Sequence, residues 1–384
     1  MSLKKFQLSN VITVSFAHLV HDTFSSFLAP LLPLLREKLG ITYALAGLLS
    51  AIQKAPSLFN PFVGLAADKI NLRFLVILSP LMTAILMSLL GPAPNISSLF
   101  IILFLTGVSS TLFHVPSPVI IKEVSGSRIG LGMSFYMLGG EFARTIGPLL
   151  VLGAVSLWGL EGTWKLIPIG FLASLLLYFR FKNIEPIRLV KTKKEKPHHL
   201  LKKLKIILLF ILFFSIFREI IKTALTLFLP SYIIAKGGSI WFGGISLALL
   251  QFAGAMGTTL SGLLSDKLGR IKILRIISFG LPTAMVLFTF SNNWMMFPAL
   301  IALGFVAFAS NPVLLAFIQD INSDYPAFLN SIYMTLQFFI SFLVTLGIGF
   351  LADRYGLEMT YKVCAFGGLG LVPISIYFTK TDFL

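Results

Sequence analysis

Apolar residues run along the chain in long continuous stretches, without the alternation of apolar and polar positions that marks the strands of a membrane barrel. A helix needs about 20 such residues to cross a bilayer. Turn-forming segments such as Gly91–Pro94 and Gly237–Gly238 separate the stretches. The pattern therefore predicts an all-α membrane protein with twelve transmembrane helices. The predicted spans are residues 10–36, 42–66, 74–91, 96–121, 129–157, 163–181, 206–235, 242–265, 273–290, 294–318, 327–352 and 359–379.

The composition agrees with this pattern and excludes other classes of protein. Hydrophobic residues make up 56% of the chain and charged residues only 12%, whereas a soluble domain carries roughly 25% charge. An ordinary soluble enzyme and a disordered chain are both excluded, because a disordered chain needs low hydrophobicity. The single cysteine, Cys364, excludes an internal disulfide and a multi-cysteine metal site. The sequence predicts no metal site and no cofactor.

The formal charge of +16 would suggest a nucleic-acid partner in a soluble protein. Here most basic residues lie between the spans, where they determine topology. If both termini are cytoplasmic, twenty-one of the 31 Lys and Arg residues fall on the inner side and six on the outer side. This bias predicts a multi-pass protein of the plasma (inner) membrane with both termini in the cytoplasm, and no nucleic-acid partner.

The longest hydrophilic segment divides the chain into two halves of six spans. Ten of the inner basic residues lie between Arg180 and Lys205, and such a segment is attracted to anionic lipid headgroups. The predicted organisation is an N-terminal six-helix bundle over residues 1–182, a basic cytoplasmic linker over 183–205 and a C-terminal six-helix bundle over 206–384.

Two segments recur at nearly the same spacing, which indicates an internal duplication. Gly159–Lys165 (GLEGTWK) recurs 197 positions later as Gly356–Lys362 (GLEMTYK). The run GLAADK, which begins at Gly64, recurs 198 positions later as GLLSDK, which begins at Gly262. Two repeats of six helices joined by a basic loop are the plan of major facilitator transporters.

The same spacing also pairs polar residues that lie inside the predicted spans. Polar groups are costly within a membrane, so polar groups at equivalent positions of both halves indicate a central site at the interface of the repeats. The pairs are Asp22 with Glu219, Lys54 with Gln251, and His114 with Asn311.

Both copies of the duplicated loop resemble the loop signature that major facilitator transporters carry between spans 2 and 3 and between spans 8 and 9. The resemblance implies a cytoplasmic gate, in which an Asp faces the end of a neighbouring helix and a nearby Arg and stabilises one of the alternating states. The implied gate residues are Gly64, Asp68 and Arg73 in the first copy and Gly262, Asp266 and Arg270 in the second.

Four segments of the first half carry a finer resemblance: Ala17–Asp22, Phe27–Leu35, Phe113–Pro116 and Gly132–Leu149. They are similar to the fosmidomycin-resistance subfamily, although Val115 stands where that subfamily has Pro directly after His. The resemblance implies a proton-driven exporter of drugs and small organic anions. The glycine-rich span 5 is also similar to a signature associated with antiporters.

Ionisable side chains inside the spans are candidate site residues, because each costs about 2.5–3.5 kcal/mol at the bilayer centre. Cations exceed carboxylates there by four to three, which favours an anionic substrate. Pairs such as Glu141–Arg144 also have a purely structural interpretation, in which they hold helices together. The predicted substrate-binding residues are Lys54, His114, Arg144, Arg218, Lys222, Gln251 and Asn311, and the predicted proton-coupling residues are His18, His21, Asp22, Glu141 and Glu219.

Together these features predict a secondary transporter that works by alternating access. The first hypothesis is a proton-coupled antiporter that exports small organic anions or drugs, and the alternative is a proton-coupled uptake symporter for an organic anion. A membrane-embedded enzyme is disfavoured, because the chain lacks the Gly-x-Ser-x-Gly, His-Glu-x-x-His and phosphate-loop patterns. The expected partners are a small-molecule substrate, protons and the lipid bilayer, with the chain acting as a monomer.

Overall fold

The computed structural model describes residues 6–60, 72–126, 129–181, 205–291, 295–319 and 326–379. Within these ranges the regular structure is entirely helical, so the predicted all-α architecture is confirmed. Seven helical stretches in the same ranges are long and apolar enough to cross a membrane. The first half contains α1 (Leu8–Ser25), α2 (Leu28–Leu39), α3 (Tyr43–Lys54), α4 (Leu72–Ser88), α5 (Ile96–His114), α6 (Ser117–Ser125), α7 (Ile129–Trp158) and α8 (Ile167–Phe181).

The second half has a similar but not identical order of helices. It contains α9 (Lys205–Leu227), α10 (Leu229–Ala235), α11 (Ile240–Leu268), α12 (Arg270–Phe290), α13 (Met296–Gln319), α14 (Pro326–Gly367) and α15 (Leu371–Thr379). Short 3₁₀ turns cover Ala55–Phe59, Leu160–Leu166 and Gly368–Gly370. The helix α14 joins two spans, because Gly356 interrupts it with a non-helical backbone (φ 76°, ψ 163°).

Several predicted spans are built from two helices rather than one. Proline lies at or just beyond each break, as Pro30 does after α1, Pro116 after α5 and Pro230 after α9. Proline cannot donate the helical hydrogen bond and its ring clashes with the preceding turn. Breaks of this kind leave backbone polar groups in the membrane interior, which is tolerated where they face protein or a cavity.

The duplication is visible in the backbone as well as in the sequence. Gly40 and Gly237 lie 197 positions apart and both have positive φ angles, 64° and 86°. Gly159 and Gly356 have the same spacing and φ angles of 72° and 76°. Glycine adopts this left-handed conformation without steric cost. The helix-ending turns therefore repeat between the halves, as a pair of six-helix bundles requires.

The chain forms two compact units that differ slightly from its two sequence halves. Unit 1 runs to Ile41 and then from Leu49 through α8, whereas unit 2 takes Thr42–Leu48 together with α9 to α15. Asp353 of α14 binds this short segment: its two carboxylate oxygens accept hydrogen bonds from the backbone nitrogens of Tyr43 (2.6 Å) and Ala44 (2.8 Å). A carboxylate there satisfies the unpaired N–H groups at the start of α3. The first turn of α3 is therefore held within unit 2.

The core of unit 1 lies beside the polar residues of α1. Val14, Phe113, Ile121 and Tyr136 are buried in one hydrophobic cluster with Ala17. This packing brings α1, α5, α6 and α7 together and fixes the positions from which the polar side chains of unit 1 project.

Candidate functional site

Three predicted residues of unit 1 meet around one carboxylate. Asp22 of α1 is 8% exposed. His18 lies one turn earlier and places Nε2 3.4 Å from Asp22 Oδ2, while His114 at the end of α5 places Nε2 3.1 Å from Asp22 Oδ1. The neighbouring His21 has Nδ1 3.5 Å from the same Oδ1. The i, i+4 spacing of His18 and Asp22 was readable in the sequence, whereas the approach of His114 depends on the fold.

The outer nitrogens of these histidines have partners of their own. Nδ1 of His18 lies 2.7 Å from the backbone oxygen of Tyr136, and the Tyr136 ring stacks on His18 with a centroid distance of 4.0 Å. Nδ1 of His114 lies 3.4 Å from the Tyr136 hydroxyl, and Nε2 of His21 lies 3.4 Å from Thr83 Oγ1. Tyr136 was not predicted as a site residue, because an isolated Tyr in an apolar span carries no distinctive sequence signal.

The glycine-rich span 5 allows α7 to approach α1 closely. A Cβ atom at Gly139 would lie 2.4 Å from the backbone oxygen of Ser15, and one at Gly147 would lie 2.6 Å from that of Thr23. At Gly140 it would lie 2.5 Å from Cε1 of His18. These glycines therefore help to position the polar residues of α1.

Arg144 lies between two carboxylates of unit 1. Its guanidinium is 3.4 Å from Glu141, as expected for residues at i, i+3 on one helix, and 4.0 Å from Asp22 Oδ2. The Arg144 side chain is partly exposed. Arg144 thus links the Glu141 pair to the cluster around Asp22.

Arg218 is the centre of a second polar network, in unit 2. It is only 1% exposed, and its guanidinium donates to the Asn311 and Gln337 side chains, to Ser310 Oγ (3.3 Å) and to Glu219 Oε2 (3.2 Å). The Nε–H group is buried without an acceptor among the described residues. Burying a guanidinium in this way requires most of its donors to be paired.

Glu219 has two cationic neighbours on its own helix. Its Oε2 contacts Arg218 Nη2 at 3.2 Å and Lys222 Nζ at 3.6 Å. Ser310 and Gln337, which complete the network around Arg218, were not predicted. These two residues lie on spans other than that of Arg218, and only the fold brings them to its guanidinium.

Lys54 and Gln251 are the other predicted substrate-binding residues. Lys54 is the last residue of α3 and is partly buried in unit 1. Gln251 is buried in α11 of unit 2, and its Oε1 has no hydrogen-bond donor among the described residues. An orphaned buried acceptor of this kind carries a desolvation cost of about 1–3 kcal/mol.

The second copy of the gate motif lies at the end of α11. Asp266 pairs with Arg270 at the start of α12, and Arg270 also donates to Ser265 Oγ at 2.6 Å. Gly262 lies one turn earlier on α11. Gly64 and Asp68 of the first copy lie outside the described residues, and Arg73 lies in the first turn of α4 with a side chain outside the described part.

Comparison with known proteins gives matches along most of the chain. The sequence profile of the Major Facilitator Superfamily matches residues 14–345. The chain is 26% identical over 369 residues to the fosmidomycin resistance protein of Escherichia coli (strain K12), covering 92% of this chain and 88% of the relative. It is 25% identical over 342 residues to the multidrug resistance protein MdtG of Proteus mirabilis (strain HI4320), covering 81% and 80%.

A solved structure with the same fold is that of a mutant of the nucleoside transporter NupG. The similarity has a TM-score of 0.76 and covers 98% of this chain and 99% of that one, at 14% sequence identity. At this identity the likeness concerns the fold alone: twelve transmembrane helices in two pseudo-symmetric bundles.

Proposed function

The chain belongs to the Major Facilitator Superfamily and is therefore a membrane transporter rather than an enzyme, and from this premise we propose that it is a proton-coupled antiporter that exports small organic anions or drugs. The names of its relatives, a fosmidomycin resistance protein and a multidrug resistance protein, support export. The glycine-rich span 5, which is similar to a signature associated with antiporters, supports exchange.

The observation that carries the proposal is the network around Arg218 in unit 2. Two cationic side chains, Arg218 and Lys222, contact the one carboxylate of Glu219. An arginine fork matches the two oxygens of a carboxylate or phosphonate, and Asn311 and Gln337 hold the fork in one orientation. The acidic group of the substrate would bind here by replacing protein acceptors, because both Nη atoms of Arg218 already donate to side chains of unit 2.

Unit 1 carries predicted substrate-binding residues of its own. Arg144 and Lys54 are partly exposed cations of that unit, and long-range attraction between cations and an anion is strong in a site with little water. Gln251 would supply its orphaned side-chain oxygen to a hydrogen-bond donor of the substrate.

Glu219 would couple the substrate to protons. A substrate that has both an acidic group and an N–H or O–H donor can bind Arg218 with the first and Glu219 with the second. A proton on Glu219 removes the negative charge that attracts the donor, so the proton and the substrate compete for the same oxygen. Because the proton and the substrate exclude each other from this site, the protein can exchange one for the other across the membrane.

The uptake symporter remains the second candidate because of the same contacts. For a substrate with an acidic group and no donor, protonation of Glu219 would release Arg218 and Lys222 from their carboxylate partner and strengthen binding of the anion. Positive linkage of this sign drives cotransport of proton and anion. The donor groups of the substrate therefore decide between the two modes.

The proposed working unit is a monomer in the plasma (inner) membrane with both termini cytoplasmic, as the distribution of Lys and Arg favours. In that orientation the Asp266–Arg270 pair lies on the cytoplasmic side. It would act as a gate contact that stabilises one of the alternating states.

Transport into reconstituted vesicles under imposed pH gradients tests the proposal. Labelled phosphonates, carboxylates, sugars and cationic drugs are offered from outside, with either an acidic interior or an acidic exterior. Exchange predicts accumulation of an acidic, donor-bearing compound when the interior is acidic, because protons leave as the substrate enters. Accumulation only with an acidic exterior would instead support the symporter. Uptake that is the same with either gradient and without one would contradict proton coupling.

A further inference from the structure

We propose that unit 1 contains a binding site for one divalent transition-metal ion, with His18 Nε2, a carboxylate oxygen of Asp22 and His114 Nε2 as its ligands. The sequence predicted proton coupling for His18 and Asp22, a substrate contact for His114, and no metal. The inference goes beyond the proposed transport function and does not depend on it.

The donor atoms converge as such an ion requires. One atom from each of the three residues lies within 4.8 Å of the other two. Zn–N and Zn–O bonds of about 2.0–2.1 Å place tetrahedral ligands about 3.3 Å apart. His18 Nε2 lies 3.4 Å from Asp22 Oδ2, and His114 Nε2 lies 3.1 Å from Asp22 Oδ1. An ion can therefore be accommodated by small side-chain rotations.

The partner of the other His18 nitrogen fixes which tautomer faces the cluster. Nδ1 lies 2.7 Å from the backbone oxygen of Tyr136, and a carbonyl oxygen can only accept. The proton of a neutral His18 therefore resides on Nδ1, and the lone pair of Nε2 points toward Asp22. A backbone carbonyl that orients a metal-ligating histidine in this way is a regular feature of metal sites.

Tyr136 also supports the second histidine. Its hydroxyl lies 3.4 Å from Nδ1 of His114, and its ring stacks on His18. One residue therefore orients both imidazoles toward Asp22, so the two rings form a pre-arranged pair. Ligand geometry held by surrounding contacts lowers the cost of ordering the site when the ion binds.

One carboxylate oxygen of Asp22 lacks a hydrogen-bond donor among the described residues, and a bound cation would take the place of that donor. Its Oδ1 is buried and has no hydrogen bond from the described residues, although His114 Nε2 is 3.1 Å away. When His114 carries its proton on Nδ1, facing the Tyr136 hydroxyl, Nε2 and Oδ1 are both acceptors and repel each other. A metal ion between them would bond to both.

The local charge permits a doubly charged ion. Arg144 approaches Asp22 to 4.0 Å and also pairs with Glu141, so the contacting charged groups carry two negative charges and one positive. The His114 side chain is 37% exposed, which leaves a route for the ion and an open coordination position. Two imidazoles with one carboxylate suit Zn²⁺, Co²⁺ or Ni²⁺, whereas Mg²⁺ and Ca²⁺ prefer oxygen ligands.

Cobalt titration of the purified full-length chain tests the site without any transport assay. The protein is prepared without a polyhistidine tag, and visible absorption of Co²⁺ reports tetrahedral nitrogen and oxygen ligation. The matched control is the His198→Ala, His199→Ala double variant, which removes the two histidines of the basic linker. The proposal predicts one equivalent of Co²⁺ in the wild type and in this control, displaced by Zn²⁺ but not by Mg²⁺.

Two ligand variants complete the test. Asp22→Asn keeps the shape of the side chain and His114→Ala removes a partly exposed ring, and each is checked for an unchanged elution volume. Each should weaken Co²⁺ binding by about 100-fold or more, since each loses one of three ligands. Equal binding by the wild type and both variants, loss of binding in the His198/His199 control, or no Co²⁺ absorption at millimolar concentration would each overturn the site.

Discussion

Gly140 lies against the imidazole of His18, so closely that a Cβ atom would be 2.5 Å from ring atom Cε1. The two residues belong to α7 and α1, the helices of spans 5 and 1. A glycine in the middle of a helix costs roughly 0.5–1 kcal/mol relative to alanine. Here the missing side chain makes room for a histidine of the candidate site.

Replacing Gly140 by Ala should therefore destabilise the protein. The added methyl group must displace His18 or separate α7 from α1, and such overpacking costs about 1–3 kcal/mol. Thermal unfolding of the detergent-solubilised protein measures the effect. The matched control is Gly153→Ala on the same helix, where no heavy atom lies within 4 Å of the added Cβ. A lower transition temperature for the control than for Gly140→Ala would contradict the packing argument.

Asp353→Ala should lower the free energy of unfolding by about 1 kcal/mol, the usual effect of losing a helix-capping acceptor. The variant leaves the backbone N–H groups of Tyr43 and Ala44 without their carboxylate partner. Thermal unfolding in the same detergent provides the measurement. Glu358→Ala is the control, because Glu358 is an exposed acid whose partner is the Lys362 side chain rather than a helix end. Equal stability of the two variants would show that the cap contributes nothing.

The sequence predicted the fold well because long apolar runs and a duplicated motif are strong signals. The pair Gly159 and Gly356 illustrates this, since the repeat found in the sequence returns as the same left-handed backbone turn. The assignment of Thr42–Leu48 to unit 2 was not predictable. Asp353, some 310 positions away, is one of the residues that contact this segment, and nothing in the sequence marks its carboxylate as the cap of a distant helix.

The contacts of the candidate site were predictable only where they follow helical spacing, although the repeat also identified His114 and Asn311 as site residues. His18 with Asp22 and Glu141 with Arg144 are neighbours one turn apart, and the structure brings both pairs into contact. Tyr136 and Gln337 were missed. Each acts through a contact between different spans, and the period of a single helix carries no information about such contacts.

Arg218→Lys should weaken binding of an acidic substrate by about tenfold or more and leave a neutral one nearly unchanged. Lysine keeps the charge but loses the fork that pairs with two oxygens. Equilibrium binding of a labelled substrate from the gradient assay measures the change. Arg275→Lys, an exposed position on α12, is the control and should bind normally. An equal loss of acidic and neutral substrates would mean that Arg218 has only a structural role.

Asp266→Asn should slow transport and change substrate affinity by no more than a few fold. The substitution removes the charge that pairs with Arg270, so one alternating state loses a stabilising contact while the binding residues are untouched. Initial rates and equilibrium binding in the same vesicle preparation separate the two effects. Lys272→Gln, an exposed charge change on α12, should leave both quantities unaltered. A collapse of affinity with normal rates would reject the gate role.

Glu219→Gln tests the central claim, proton-coupled exchange, most directly. Glutamine cannot take up or release a proton at this position but keeps a similar shape and one acceptor oxygen. Two assays are compared in vesicles: accumulation driven by an acidic interior, and exchange of labelled for unlabelled substrate without a gradient. The account predicts that the variant loses gradient-driven accumulation and still exchanges substrate, but with weaker substrate binding, because the charge that attracts the donor of the substrate is absent. Full accumulation by Glu219→Gln under the gradient would contradict it.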